Sequence, residues 1–201
     1  MSIKSLLRFC ALAGLLSTIS IILGKFLIPL PNRQIGEVLD TLGAFFGLFL
    51  VIGVYLMHRR QSGVFGGVAA LLLFTGLTAV VSLDYFGAFM ALELPAGTVD
   101  MLLEGRNGWV FAASGVIFLL GAILFGFSII LAKVFSKAAA VLFMLGMIPV
   151  ALHLTGIFPE HVVNISSIVA GIGLIWWSVE LMRMSGEQKR TEQDTTAPRE
   201  I

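Results

Sequence analysis

The sequence predicts an all-α fold, a polytopic transmembrane bundle of about six helices with both termini in the cytoplasm. Three observations carry this. Of 201 residues, 58% are hydrophobic and only 12% charged, against roughly 45–50% and 25% in an ordinary soluble domain. The apolar residues form six long runs, with most of the charges in the intervals between them. The lysines and arginines fall mostly on alternate intervals, as cytoplasmic loops require.

A hydrocarbon core about 30 Å thick needs roughly 20 apolar residues at 1.5 Å each. The runs meeting that requirement are Leu6 to Leu27, Val38 to Met57, Val64 to Leu83, Trp109 to Leu131, Ala138 to Phe158 and Val162 to Met182. Lys4 and Arg8 before the apolar stretch from Phe9 to Gly24 resemble the start of a secretory signal, but no small-x-small cleavage site ends that stretch, and it reads as an uncleaved first helix. Breakers separate the runs: Pro29 to Asn32, His58 to Gly63, Pro95 to Gly97, Lys133 to Lys137 and Pro159 to His161. Loops this short make consecutive helices antiparallel. Only the interval from Asp84 to Gly108 is long, and its pieces Tyr85 to Glu93 and Thr98 to Glu104 read as short interfacial helices.

Ten basic residues (Lys4, Arg8, Arg59, Arg60, Lys133, Lys137, Arg183, Lys189, Arg190, Arg199) fall on one side and three (Lys25, Arg33, Arg106) on the other. This asymmetry puts both ends inside. Residues 1–184 are then the six-helix domain, and 185–201, polar and without apolar periodicity, a disordered cytoplasmic tail. A faint internal repeat runs through Val64, Phe65, Ala69, Ala70, Leu72, Gly76 and Val80, which recur 70 residues later as Val134, Phe135, Ala139, Ala140, Leu142, Gly146 and Val150.

Helices in lipid associate through close contact of small residues and interhelical hydrogen bonds. The inward faces are expected at Cys10, Gly14, Ser17 and Gly24; at Asp40, Gly43 and Gly47; at Gly115, Ala122 and Gly126; and at Asn164, Ser167, Gly171 and Ser178. Gly43 and Gly47 form a GxxxG, read either as packing within the chain or as the face of a homo-oligomer. Trp109, Trp176 and Trp177 read as interfacial and packing residues.

The net charge of +1 and the single cysteine, Cys10, make no case for nucleic acid, an intramolecular disulfide or a cysteine metal site. Only His153 lies within an expected span, so a bis-histidine haem is not predicted, and HExxH, GxxxxGK[ST] and GxSxG are missing. No cofactor, metal or catalytic group is expected; the partner is the lipid bilayer. Ionisable groups inside spans are costly and are functional candidates by default. Asp40, Asp84, His153 and Asn164 come to one level near the outer surface and make the candidate ion, proton or ligand site, with Pro149 expected to kink the helix beside His153. Glu180 reads as an interfacial ion pair with Arg183.

Several passages carry a resemblance: Gly53-Val54-Tyr55-Leu56 before a basic turn, Gly76-Leu77-Thr78, Asp84-Tyr85-Phe86-Gly87-Ala88-Phe89, Gly126-Phe127-Ser128-Ile129 leading to Val134-Phe135-Ser136-Lys137, and Gly173-Leu174-Ile175-Trp176. In their order they resemble a group of small, uncharacterised bacterial multi-pass membrane proteins. The resemblance implies a helical bundle in a bacterial plasma membrane and brings no activity or site residues. The sequence thus leads to a non-enzymatic accessory or structural membrane component, with a small secondary transporter or ion- or proton-conducting protein as the alternative.

Overall fold

The computed structural model describes residues 2–28, 33–90, 94–95, 97–98, 101, 105, 108–153 and 157–196, the last ten in backbone only. The described residues form helices and no strands. The helices are α1 (Ile3–Leu27), α2 (Arg33–Phe89), α3 (Gly108–Ala132), α4 (Lys137–His153) and α5 (Glu160–Thr196). Within the described residues, α1, α2, α3 and α5 are long and apolar enough to cross a membrane, and α4 is a shorter apolar helix.

On α1 and α3 small residues mark the inward face and many large apolar residues lie outside, although Leu7, Phe118, Phe125 and Ile129 are buried with the small ones. On α1 the large residues Leu12, Leu16, Ile19, Leu23 and Phe26, three or four apart, are exposed, while Cys10, Gly14, Ser17 and Gly24 are buried. The same holds on α3, with Leu120, Phe127 and Leu131 outside and Gly115, Ala122 and Gly126 inside. Small residues inward and large apolar ones outward is the arrangement lipid favours, because close backbone approach rather than hydrophobic burial holds such helices together. The expected inward faces are therefore observed, although Asp40 and Asn164 are only partly buried.

The interval from His58 to Gly63 is a single-residue break rather than a loop. The helix continues to Ser62, and Gly63 alone leaves it at φ 56°, ψ −143°, a conformation open to glycine because it has no Cβ. The two limbs of α2 (33–62 and 64–89) then pack antiparallel, with Tyr55 against Gly67 and Gly47 facing Leu77. Lys133, the one non-glycine residue at positive φ (55°) among those described, stands 70 residues after Gly63, at the turn into α4. The repeat read from sequence therefore has structural counterparts at both turns, and its pairs Ala69/Ala139, Ala70/Ala140 and Gly76/Gly146 are all buried.

Other boundaries move for identifiable reasons. The first limb of α2 begins at Arg33, five residues before the expected apolar run, where Arg33 Nε donates to Glu37 Oε1 (2.7 Å) one turn on. The Tyr85 to Phe89 portion of the expected interfacial helix is the uninterrupted end of α2; residues 91–93, and most of Thr98 to Glu104, lie outside the described residues. α4 ends at His153 rather than Phe158. α5 continues through Thr196, where a disordered tail was expected: Glu187, Gln188, Lys189 and Arg190 are good helix formers, with no proline before Pro198.

The helices close a ring, α1 on α2, α2 on α3, α3 on α4, α4 on α5 and α5 back on α1. Glycines set the crossings. A Cβ on Gly121 would come within 2.5 Å of Leu73 Cα, and one on Gly76 would overlap the backbone of Phe118. Gly43 lies against Ser17 and Ile21 of α1, and Gly47 faces Ser17 and Leu77, so the GxxxG surface is occupied within the chain.

Candidate functional site at the acidic end

The ends of the ring differ in chemistry. One carries Arg59, Arg60, Lys133 and Lys137; the other carries Lys25, Glu37, Asp40 and Asp84. At the acidic end α1 and α2 cross at Gly24 and Gly36, where a Cβ on Gly24 would stand 2.7 Å from the Gly36 carbonyl oxygen. That approach brings the next residue, Lys25, to Asp40: its Nζ donates to Oδ2 at 2.5 Å, both side chains being 17% exposed. Arg33 holds Glu37 Oε1, while the buried Glu37 Oε2 has no partner. Asp84, from the second limb of α2, faces Asp40, Lys25 and Glu37.

Of the four residues singled out from sequence, Asp40 and Asp84 converge. They line a pocket of about 160 Å³ with Glu37, Leu83, Gly87 and Ala88. His153 and Asn164 line neither this pocket nor the cavity beneath it. His153, the last residue of α4, is exposed and donates from Nδ1 to the carbonyl of Phe158 (2.8 Å).

Beneath the acidic pocket the ring encloses a cavity of about 90 Å³, to which α1, both limbs of α2, α3, α4 and α5 contribute Ser17, Gly47, Leu77, Phe118, Met147 and Ser167. Its wall is otherwise apolar, apart from Asp84, which borders the acidic pocket as well. The Ser17 hydroxyl is fully buried and has no hydrogen-bond partner, whereas its neighbour Thr18 donates to the Gly14 carbonyl (3.1 Å).

Toward the basic end the centre of the bundle is packed with large side chains, while a pocket of about 310 Å³ opens between α1 and α2, lined by Leu7, Leu56, Arg59 and Arg60. His58, which the sequence reading assigned to a loop, is fully buried. Its Nδ1 donates to the Val54 carbonyl (2.7 Å), and Nε2 meets Ser128 Oγ at 3.2 Å. The rings of Tyr55, Phe125 and Phe135 surround it, and Trp177 packs between Phe125 and Phe143. The buried histidine is thus His58, while His153 faces outward. The only sequence signal was position: His58 lies four residues after Val54 on the buried face of an unbroken helix, visible only if the Arg59-Arg60 pair is not taken as the helix end.

Glu180 is a further correction. Instead of pairing with Arg183 it reaches across to α4, where Oε2 accepts the Ser136 backbone N–H (3.1 Å) and Oε1 accepts Trp176 Nε1 (3.1 Å). A carboxylate just before the first turn of a helix satisfies an orphan amide and complements the helix dipole. In comparisons with protein-family models, curated proteins and solved structures, the chain matches none.

Proposed function

We propose that the chain is a six-span protein of a bacterial plasma membrane, with both termini in the cytoplasm, serving as a non-enzymatic accessory or structural component. Counting each limb of α2 and the apolar α4 as spans supports six. α4 has 17 residues, about 25 Å at 1.5 Å per residue, so it fits a locally thinned bilayer. The ten-to-three distribution of basic residues supports an inward-facing basic end, and the resemblance to small bacterial multi-pass proteins supports the compartment.

The observation that carries the accessory reading is the packed centre of the basic half, where His58, Phe125, Phe135 and Trp177 are buried against one another. A carrier or channel needs two arrangements of its barrier or a wet path through it. Here the barrier is made of large rings and a histidine held on two sides. The transport reading keeps one observation in its favour, that Asp84 borders both the outer pocket and the inner cavity.

Proton and monovalent-cation flux in proteoliposomes separates the two. The accessory reading expects the native chain and Asp40→Asn to give the same flux as protein-free liposomes. Flux above that background, lost in Asp40→Asn, would replace it with the transport reading.

A further inference from the structure

We infer that the acidic pocket and the central cavity form one binding site for an amphiphile with an ammonium head, the head against Asp84 and the apolar chain in the cavity. Charge balance selects the head. Lys25 is committed to Asp40 and Arg33 to Glu37, which leaves Asp84 as the carboxylate with no cation of its own among the described residues. Its charged neighbours are two more carboxylates and the already engaged Lys25. An anionic head is repelled there and a neutral one leaves the charge unanswered, whereas an ammonium group answers it. The adjoining Glu37 Oε2, buried and without a partner, adds a second acceptor on the same pocket.

Shape and polarity select the chain. A bare divalent cation seeks about six or more oxygen ligands, but below Asp84 the wall is Val80, Leu77 and Leu73 on one side, and Phe118 and Met147 on others. From Leu73 to Asp84 the lining runs eleven residues along one helix, about 16 Å, and the volume of about 90 Å³, below the about 150 Å³ that holds a benzene ring, suits a short chain such as butyl. Besides Asp84, the polar residues of the lining are Ser17, whose buried hydroxyl has no partner, and Ser167, whose hydroxyl donates to the Val163 carbonyl. Asp84 is the junction of the two compartments, as a ligand with a charged head and an apolar body requires.

The inference rests on the reading that this end of the bundle lies at a bilayer surface. Its test needs neither flux nor orientation, so the two can fail separately. Radiolabelled butyltrimethylammonium is titrated against the full chain in lipid nanodiscs, with empty nanodiscs as background. Saturable binding is expected at one site per chain, weaker by about tenfold or more in Asp84→Asn, since a charge-assisted contact is lost, and kept in Asp84→Glu. Tetramethylammonium, the head without the chain, should compete about tenfold less well or worse, and butyl sulfate should not compete. Leu77→Trp, which narrows the cavity and keeps the carboxylate, should also weaken binding and serves as the deciding variant if Asp84→Asn does not fold. Binding indistinguishable from empty nanodiscs, full-strength binding in a folded Asp84→Asn or Leu77→Trp, or equal competition by tetramethylammonium would each overturn the inference.

Discussion

Replacing Gly121 with alanine tests whether backbone contact between α2 and α3 holds the ring together. The added Cβ would stand 2.5 Å from Leu73 Cα and 2.7 Å from the Leu72 carbonyl carbon, while ordinary contact begins at 3.4 Å. The neighbour is backbone, which cannot swing aside, so α3 must retreat by about 0.9 Å along that contact. A gap of 0.5–1 Å forfeits about a quarter to a half of the dispersion well for each atom pair, each worth about 0.1–0.2 kcal/mol. Taking about 40 pairs across the crossing, as many as one buried leucine makes, the loss is about 1–4 kcal/mol. Alanine also gains up to about 1 kcal/mol of helix propensity over glycine, so a reference is needed. Gly87→Ala supplies it, because a Cβ there meets nothing within 4 Å and reports the propensity gain alone. Equilibrium unfolding in mixed non-ionic and anionic micelles, followed by tryptophan fluorescence, should place Gly121→Ala about 1–4 kcal/mol below Gly87→Ala. Equal stability of the two variants, within about 0.5 kcal/mol, would refute the reasoning. Gly76, which meets Phe118 at the same crossing, supplies an internal check: one retreat accommodates both methyls, so the double variant should cost less than the sum of the singles.

The remaining predictions concern polar contacts. Asp40→Asn removes the carboxylate that accepts from Lys25 at 2.5 Å and should cost about 1–3 kcal/mol, between the values for exposed and buried pairs; exchanging the two residues should recover much of this, and a neutral Asp40→Asn in the same unfolding measurement would show the pair to be idle. His58→Leu deletes two buried contacts, to Val54 and Ser128, and should destabilise by about 1–3 kcal/mol, whereas His153→Leu, at the exposed end of α4, should change stability far less; the reverse order would contradict the placement of the two histidines.

The helical class was legible because it depends on one-dimensional quantities: the length of each apolar run, the scarcity of charge within it and the periodic spacing of small residues such as Cys10, Gly14, Ser17 and Gly24. Asp40 and Asp84 were legible as candidates because a carboxylate beside hydrocarbon stands out at any position. Their partners were not. Lys25 meets Asp40 because glycines at 24 and 36 let two backbones cross closely, and nothing in the spacing of 25 and 40 states that. Glu180 suggested Arg183 on its own helix, yet it caps a different one, since the approach of α5 to α4 offered an orphan amide at closer reach. His58 and His153 exchanged environments for a related reason: burial depends on which helix lies opposite, and a single glycine with positive φ kept the α2 helix going to residue 62, carrying His58 inside. The sequence by itself determined an apolar, helical, small-residue-lined bundle, because local composition and period decide those properties. Only tertiary structure decided that the helices close into a ring, that Asp84 borders both a polar pocket and an apolar cavity and that rings pack the centre of the opposite half, because those depend on distances between residues far apart in the chain.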